Sequence, residues 1–500
     1  MNTPEHGNDL LRDEQDSVSL IARNYFFIFI ARILRIGTGI LLLFGLARVL
    51  TVVDFGNFVF VVSLTASVMS IAFYGVGQAL VREVSQNRDK ASLYIGIALK
   101  VRVWLAVASF AAVIAIAIIM KVEKLILIAI IISAVAEIFR AFSDLSKDVF
   151  RAYEKMQYEM VLTTVYSAVL LVIVIAIVYF KSGFMPVVIA ILVAQVVQFI
   201  LSIRIMLKKF VVPAKVFPMA DLGIFLRDAF SLGLGVLFVQ IIGRLPALLL
   251  KYLKGAEEVA FFETAHGIII QTLVLSEVLM TVFLPRFSFL AALQDRDRIK
   301  DIGSKFFKIL LVFSLNVSIL FFVFSRETMG ILYGHKYDSS WMILRVISYS
   351  VVFLFLANFA HLFFISLKMQ KQFILCNLIS LVLIAILLVA LVPVYGYRGA
   401  ALASLTAYFS NFLVSLFVLN RSVLKLPVFT VVKAMAYSAV SVCTGILIKD
   451  YNVYIAVITT EVMFLGLAVC GGIFDINEKI YIMDILRRLK VRERGVFQQP

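Results

Sequence analysis

The chain has 500 residues, is 62% hydrophobic, has a mean hydropathy of +1.02 and carries a formal net charge of +16. Globular proteins are typically about 45–50% apolar, so this composition excludes a soluble globular protein and predicts a polytopic membrane protein. The basic residues concentrate in the tails and in alternate loops, which is a membrane topology signal, so the charge does not indicate nucleic-acid binding.

The apolar stretches predict an all-α membrane protein with about fourteen transmembrane helices, since a helix needs about 20 apolar residues to cross a bilayer core. The first residues are polar and mixed in charge, and no cleavable signal peptide is predicted. The predicted spans are 25–47, 58–81, 103–120, 125–143, 159–180, 184–203, 228–250, 259–284, 306–325, 339–367, 372–393, 399–420, 430–448 and 452–473.

The distribution of lysine and arginine predicts that both termini are in the cytoplasm. We expect a multi-pass protein of the cell (inner or plasma) membrane. Residues 475–500 alternate apolar and basic side chains and predict an amphipathic helix on the cytoplasmic surface, near anionic lipid headgroups. The three cysteines, Cys376, Cys443 and Cys470, lie within apolar spans and have neither the spacing of a metal site nor that of a disulfide framework.

Several arginines lie inside the predicted spans. Arg32 and Arg35 share a helical face in the first span, Arg244 precedes Pro246 in the seventh, and Arg345 lies near one end of the tenth. A charge in hydrocarbon costs at least about 2.5–3.5 kcal/mol, so we expect these side chains to face an anion or water. Arginine suits a phosphate because its planar fork donates paired hydrogen bonds. Each of these arginines has an alternative, which is to reach the membrane interface along its stem, and this alternative is strongest for Arg345 and Arg32.

The eighth span carries a second polar set. Glu263 and His266 are three residues apart, and Glu277 lies deeper in the same span. A carboxylate beside a histidine in a membrane can bind a proton, so we predict coupling to H⁺ or Na⁺, with no other cofactor. The alternative is that these groups only pair with embedded arginines or pack as polar residues. In the fourth span, Glu137 and Arg140 are also three apart and can neutralise each other.

The chain contains an internal repeat. Lys-Met-Gln at 155–157 recurs at 368–370, and at a different offset Asp54 pairs with Glu258. These matches fall at equivalent places in the topology, so they predict two six-helix lobes related by a pseudo-twofold axis along the membrane normal, plus two C-terminal helices. The predicted organisation is a tail at 1–24, an N-lobe at 25–210, a linker at 211–227, a C-lobe at 228–422, a helix pair at 423–474 and the basic tail at 475–500.

Four short motifs resemble polysaccharide or O-antigen flippases of the multidrug/oligosaccharidyl-lipid/polysaccharide exporter superfamily. They read Leu-Thr-Val-Val-Asp-Phe-Gly-Asn-Phe at 50–58, Arg-Ala-Tyr-Glu-Lys-Met-Gln at 151–157, Gly-Ala-Glu-Glu-Val-Ala-Phe-Phe at 255–262 and Tyr-Gly-Tyr-Arg-Gly-Ala-Ala at 395–401. The chain departs from the family pattern at Thr51 and Val52, where Gly-Pro is usual, and at Ala260, where a glycine is expected.

This resemblance implies a flippase that moves an undecaprenyl- or dolichyl-diphosphate-linked oligosaccharide to the outer leaflet for polysaccharide, O-antigen or lipopolysaccharide synthesis. It also implies alternating access around a central cavity lined by the first and seventh spans. Expected partners are the lipid-linked oligosaccharide, membrane lipids, a polysaccharide polymerase and glycosyltransferases, with the flippase itself a monomer.

Two other transporter classes stay open. A peptidoglycan-precursor flippase of the lipid II type would share the helix number and the cationic chemistry. A drug or cation antiporter of the same fold would need acidic groups in its lumen, whereas this chain places arginines there. An enzyme is not predicted, because the sequence has no large soluble loop, no phosphate-binding Gly-x-x-x-x-Gly-Lys loop and no Ser/His/Asp set.

Overall fold

The fold is helical throughout the part of the chain that this computed structural model describes, which is residues 27, 30–31, 33–72, 75–180, 183–214, 219–292, 295–422 and 428–475. This confirms the predicted all-α class. The predicted tail at 1–24 and most of the tail at 475–500 lie outside the described residues.

The helices are α1 at 33–49, α2 Val52–Met69, α3 Val76–Gln86, α4 Ala91–Ile119, α5 Lys124–Ala152, α6 Gln157–Tyr179, α7 Phe184–Lys209, α8 Met219–Lys254, α9 Ala256–Ala292, α10 Arg296–Val323, α11 Ser325–Tyr333, α12 Trp341–Ile347, α13 Ser350–Ser366, α14 Gln370–Ser422, α15 Val428–Lys449 and α16 Val453–Cys470.

The described helices include eleven that are long and apolar enough to cross a membrane. The number rises to twelve if the bent pair His335–Ile347 and Ser350–Ser366, which meet at 49°, forms one span. The chain is therefore an all-helical, multi-pass membrane protein. The first predicted span, 25–47, begins outside the described residues. It is therefore not counted among the eleven helices.

The longest helix, α14, has 53 residues and is broken at Gly396, whose φ of 55° and ψ of −133° are not helical. Glu258, at the start of α9, accepts a hydrogen bond through Oε2 from the backbone N–H of Tyr397 at 2.6 Å. The carboxylate thereby satisfies an amide that the break would otherwise leave without a partner. The backbone angle at Gly396 requires glycine, and a Cβ there would also lie 2.4 Å from Glu258 Oε2, so that the carboxylate would have to shift.

The chain divides into two compact units. The first comprises Met1–Gly267, Leu332–Tyr337 and Asn377–Ala403, and the second Ile268–Ile331, Asp338–Cys376 and Ser404–Pro500. The core of the first unit lies between α3, α4 and α5, where Phe150 packs on Tyr158 and Phe210 with ring centroids 5.6 and 5.0 Å apart. The second unit is built on buried phenylalanines from α9, α10 and α13, namely Phe287, Phe306, Phe307, Phe359 and Phe363.

Thr51 explains one departure from the family pattern. It is the N-cap of α2, and its Oγ1 accepts a hydrogen bond from the backbone N–H of Asp54 at 3.1 Å. The same hydroxyl donates to Asp54 Oδ2 at 2.9 Å. A capping hydroxyl followed three residues later by an acid satisfies the first amides of a helix, so a threonine can start this helix where Gly-Pro is usual.

The two Lys-Met-Gln turns have the same backbone geometry. Glu154 and Lys368 both adopt the left-handed conformation, with φ of 58° and 57°. In each turn the next amide returns to a carbonyl five residues earlier, from Lys155 to Phe150 at 2.8 Å and from Met369 to Phe364 at 2.7 Å. This is the Schellman arrangement that ends many helices. In the first turn the left-handed residue is Glu154, directly before Lys-Met-Gln. In the second it is Lys368, the lysine of Lys-Met-Gln. The first turn therefore has one more residue between the left-handed residue and the start of the next helix.

We expect Gly396→Ala to destabilise the protein by about 1–3 kcal/mol, since it places a Cβ in a backbone region that is costly for other residues. Thermal unfolding of the purified protein in detergent measures the change. Gly466→Ala is the matched control, because a Cβ there meets nothing within 4 Å. Equal unfolding temperatures for the two variants would contradict this account of the break.

Candidate functional site

The first predicted arginine site lies on α1. Arg35 is exposed along the described part of this helix, whereas Arg32 lies outside the described residues. A permanently charged group cannot face hydrocarbon without a large cost, so the exposed face of Arg35 requires water or an anion beside it. The geometry therefore keeps Arg35 as a candidate for anion binding.

The second predicted arginine, Arg244, lies on α8 and is partly buried. The helix runs from Met219 to Lys254 with Pro246 inside it. Proline cannot donate the hydrogen bond of an interior helical residue, which leaves a carbonyl in the preceding turn without its usual partner. Arg244 and Arg35 both belong to the first unit.

Arg345 has a different environment. It lies near the end of α12, in the second unit, with its guanidinium carbon 4.7 Å from the centroid of the Phe322 ring. A cation over an aromatic face gains about 0.5–2 kcal/mol, depending on how far it is desolvated. This contact offsets part of the cost of the charge without any ligand, so Arg345 is the weakest of the predicted anion-binding residues.

Glu263 and His266 lie together on α9, as predicted. The distance from Glu263 Oε1 to His266 Nδ1 is 3.5 Å, and the His266 side chain is only 2% exposed. The imidazole stacks on the ring of Phe262 at 4.9 Å between centroids. The side chain of Glu277, the third predicted member, lies outside the described residues.

Helix α1 packs directly against this part of α9. A Cβ at Gly267 would lie 2.6 Å from Leu43 Cδ2, so the close approach depends on glycine. Leu43 is about 12 Å along α1 from Arg35, at 1.5 Å per residue. The predicted arginine helix and the predicted coupling pair are therefore parts of one helix interface in the first unit.

Tyr333 is a further residue near the pair, and no sequence pattern singles it out. It is buried, its ring packs edge-on against Phe44 at 5.2 Å, and its hydroxyl has no hydrogen-bond partner among the described residues. Burial raises the pKa of the Tyr333 hydroxyl well above its usual value, and the nearby charge of Glu263 raises it further. Tyr333 therefore keeps its proton beside Glu263.

Among the described residues, the most deeply buried arginine is Arg102, which sequence reasoning missed. Helix α4 begins at Ala91 rather than near residue 103, so Arg102 lies within it. Its side chain is 1% exposed, donates to Asp148 Oδ2 at 2.7 Å and also donates to the carbonyl of Ala141. Both acceptors are on α5, so Arg102 joins α4 to α5.

Asp148 is shared by two arginines. Its second oxygen, Oδ1, lies 3.3 Å from Arg151 Nη1. Arg151 also donates through Nε to Glu159 Oε2 at 2.7 Å, which extends the network to α6. The network contains two cations and two anions, so it is electrically balanced and holds three helices together. No group of histidine, cysteine, aspartate and glutamate among the described residues could hold a metal ion.

Two family models match more than half of the chain. The model for polysaccharide biosynthesis proteins matches residues 21–291, and the model for the lipid II flippase MurJ matches residues 167–470. No curated protein sequence matches the chain at a significant level.

Several solved structures share the fold. The inward closed conformation of the lipid II flippase MurJ has a TM-score of 0.73 at 14% identity, covering 93% of this chain and 100% of MurJ. An inward-facing multidrug MATE transporter of the MOP superfamily has a TM-score of 0.60 at 14% identity, covering 78% and 97%. A Pyrococcus furiosus transporter of that superfamily, described as having a binding pocket of reverse polarity, gives 0.58 at 15%, covering 80% and 95%. These likenesses establish a MurJ/MATE fold.

We expect Asp148→Ala to destabilise the protein by about 3–5 kcal/mol, because it leaves the buried guanidinium of Arg102 without its counter-charge. Thermal unfolding in detergent measures this loss. Asp301→Ala is the matched control, since it removes the exposed partner of Lys305 at 2.7 Å. A loss no larger than that of the control would contradict a structural role for the network.

Proposed function

Because the chain belongs to the polysaccharide biosynthesis protein family of the MOP superfamily, we propose that it flips a polyprenyl-diphosphate-linked oligosaccharide from the cytoplasmic to the outer leaflet. The chain is a transporter and not an enzyme. The cargo we propose serves polysaccharide synthesis, including O-antigen or lipopolysaccharide where the cell makes them.

The observation that carries the proposal is the exposed Arg35 on α1, the described part of the first predicted span. A diphosphate carries at least two negative charges and several acceptor oxygens, which match the paired donors of a guanidinium. Arg35 and Arg244 are the two residues that we assign to the diphosphate, with Arg32 assisting and Arg345 outside the main site. The sugars would then follow through a hydrated path, while the polyprenyl tail stays in lipid.

The proposed architecture has about fourteen helices in two six-helix lobes, with a C-terminal pair and both termini in the cytoplasm. Two features support the helix number and the repeat: the break at Gly396 within the 53-residue α14, and the similar turns at Glu154 and Lys368. Rocking of the lobes about the cationic lumen would expose the diphosphate first to one side and then to the other.

Ion coupling is proposed for Glu263 and His266. Movement of α1 would displace this pair, since Leu43 of α1 packs against Gly267, the residue that follows His266. A proton or sodium ion bound at the carboxylate would then favour one position of α1 over the other. Cargo release and ion binding would be linked through the same helix interface.

A lipid II type precursor is the second candidate cargo. It is favoured by the match of the MurJ family model to residues 167–470. Both cargoes present a diphosphate on a polyprenyl chain, so Arg35 and Arg244 would serve either. Rescue of cells depleted of their own lipid II flippase would identify this second cargo, and failure to rescue would favour the polysaccharide precursor.

We expect Arg35→Ala and Arg244→Ala each to lower transport about tenfold or more, because a hydrogen bond to a charged group contributes about 1.5–3 kcal/mol. Lysine at either position should restore part of the loss, since it keeps the charge without the paired donors. Surface glycan of cells that depend on this chain provides the measurement, with protein level checked by immunoblot.

Arg298→Ala is the control for these variants. Arg298 is an exposed arginine near the start of α10, paired with Asp295 at 3.3 Å, and has no place in the proposed site. Its glycan level should match that of the unmodified protein. Normal surface glycan from a stable Arg35→Ala/Arg244→Ala double variant would contradict the proposed anion site.

For the coupling pair, we expect Glu263→Gln to flatten the pH dependence of flipping, because the amide cannot take up or release the proton. The rate is measured in proteoliposomes over a series of pH values with the same lipid-linked cargo. Glu257→Gln, an exposed change in the first turn of the same helix, serves as the control. A pH profile unchanged by Glu263→Gln would argue against a coupling role.

A further inference from the structure

Glu461 is an acid in the middle of an apolar helix, and the proposed anion and coupling sites do not use it. It lies in α16, about 12 Å along the helix from the first residue, Val453. At the end of α15, just before α16, Lys449 donates to the carbonyl of Val323 at the end of α10, at 2.7 Å. These helix ends therefore lie at one face of the membrane. A hydrocarbon core is about 30 Å thick, so Glu461 lies near its middle.

Asn316 of α10 contacts this acid. It lies about 10 Å along α10 from Val323, so its depth matches that of Glu461. The amide Nδ2 of Asn316 donates a hydrogen bond to Glu461 Oε2. The second carboxyl oxygen, Oε1, is buried and has no hydrogen-bond partner among the described residues. The contact therefore satisfies only one of the two oxygens.

The cations on the helices around this contact are engaged at the two ends of the helices. Helices α10, α15 and α16 pack on one another, and Glu461 is the only charged residue of α16. Lys449 pairs with Glu327 at 2.9 Å, while Lys308, towards the other end of α10, pairs with Asp475 at 3.4 Å. The other charged residues of α10 lie at 296–305, about 16 Å or more from Asn316.

The other titratable groups nearby lie on the same helices or on the segment that forms α12 and α13, which pack on α10. They are Lys433, Tyr437, Cys443, Tyr454, Cys470, Arg345, Tyr349 and His361. Within the described part of the chain, none of them forms a hydrogen bond or an ion pair with Glu461. An ionised Glu461 would therefore be a charge at mid-membrane with a single neutral donor.

A proton on Glu461 removes this difficulty. An unpaired carboxylate in a membrane interior is costly, whereas the neutral acid carries no charge and gains an O–H donor. A carboxylic acid and a primary amide are complementary, because each offers one donor and one carbonyl acceptor. Asn316 carries both groups on one side chain. The protonated acid can thus use the oxygen that the ionised form leaves without a partner.

We propose that Glu461 is a proton-binding site in the second unit, where at neutral pH the neutral acid pairs with the side-chain amide of Asn316. The site is separate from Glu263 and His266, which belong to the first unit. The proton is exchanged with the aqueous phase. Its presence holds α16 against α10, and its loss would leave a charge at this depth and favour separation of the two helices.

Infrared spectroscopy of the purified full-length protein tests the site. The detergent is dodecyl maltoside, which has no carbonyl group, so the C=O stretch of a protonated carboxylic acid is observed apart from the bands of amides and ionised carboxylates. At neutral pH, Glu461→Gln should remove acid absorbance from the spectrum. Glu257→Gln changes an exposed glutamate, which is ionised at this pH, and should leave the acid band unchanged. An acid band that is unchanged in Glu461→Gln would overturn the proposal.

Asn316→Leu provides a second test that keeps Glu461 in place. It removes the one donor to the carboxylate, and hydrogen bonds to charged groups are the stronger ones. The acid band of this variant should therefore persist to a pH about one unit higher than in the unmodified protein. No shift, or a shift to lower pH, would overturn the pairing with Asn316. This result does not depend on the stability of Glu461→Gln.

A sodium ion is the other small cation that a carboxylate and an amide oxygen could bind, and the same spectra distinguish it from a proton. At constant pH, the acid band should be equal in sodium chloride and potassium chloride. Loss of the Glu461 absorbance in sodium alone would assign the site to that ion and overturn the proposal. The measurement contains no cargo, so its result is independent of whether the Arg35 and Arg244 variants still transport.

Discussion

A charge within a membrane is stable only when a counter-charge, a backbone carbonyl or water meets it, and the helices of this protein are arranged around that requirement. Arg102 meets Asp148 and a carbonyl of α5, which fixes α4 against α5. In the second unit, Lys449 meets Glu327 at 2.9 Å and the carbonyl of Val323 at 2.7 Å, which fastens the end of α15 to the end of α10. The same charges that would be costly in lipid therefore join helices where both partners come from the protein.

Arg35 differs from these paired charges because it is exposed along α1, the described part of the first predicted span. A fully paired arginine has no donors left for cargo, whereas a half-exposed arginine keeps them. The buried pair of Arg102 has a structural role, and anion binding is proposed for the exposed Arg35.

Hydropathy alone predicted the all-α membrane fold, since the requirement for apolar side chains acts residue by residue. It also predicted that Glu263 and His266 would meet, because residues three apart on a helix are neighbours. Hydropathy failed at Arg102. The predicted span begins directly after this arginine, at residue 103, whereas helix α4 begins at Ala91. The partners of Arg102, and the approach of Tyr333 to Glu263, depend on contacts between distant segments, which no local pattern contains. The glycine itself is a local signal for the break at Gly396. No local pattern indicates that Glu258 accepts the hydrogen bond from the next residue, Tyr397.

The central claim is that the cargo is recognised through its diphosphate. The most direct measurement compares outward flipping, by the unmodified protein in proteoliposomes, of polyprenyl lipids that carry the same oligosaccharide on a diphosphate or on an uncharged linker. The account predicts that the diphosphate form moves at least about tenfold faster, the difference expected from one charged hydrogen-bonding interaction. Equal rates for the two lipids, or transport of a cationic drug in place of both, would contradict it.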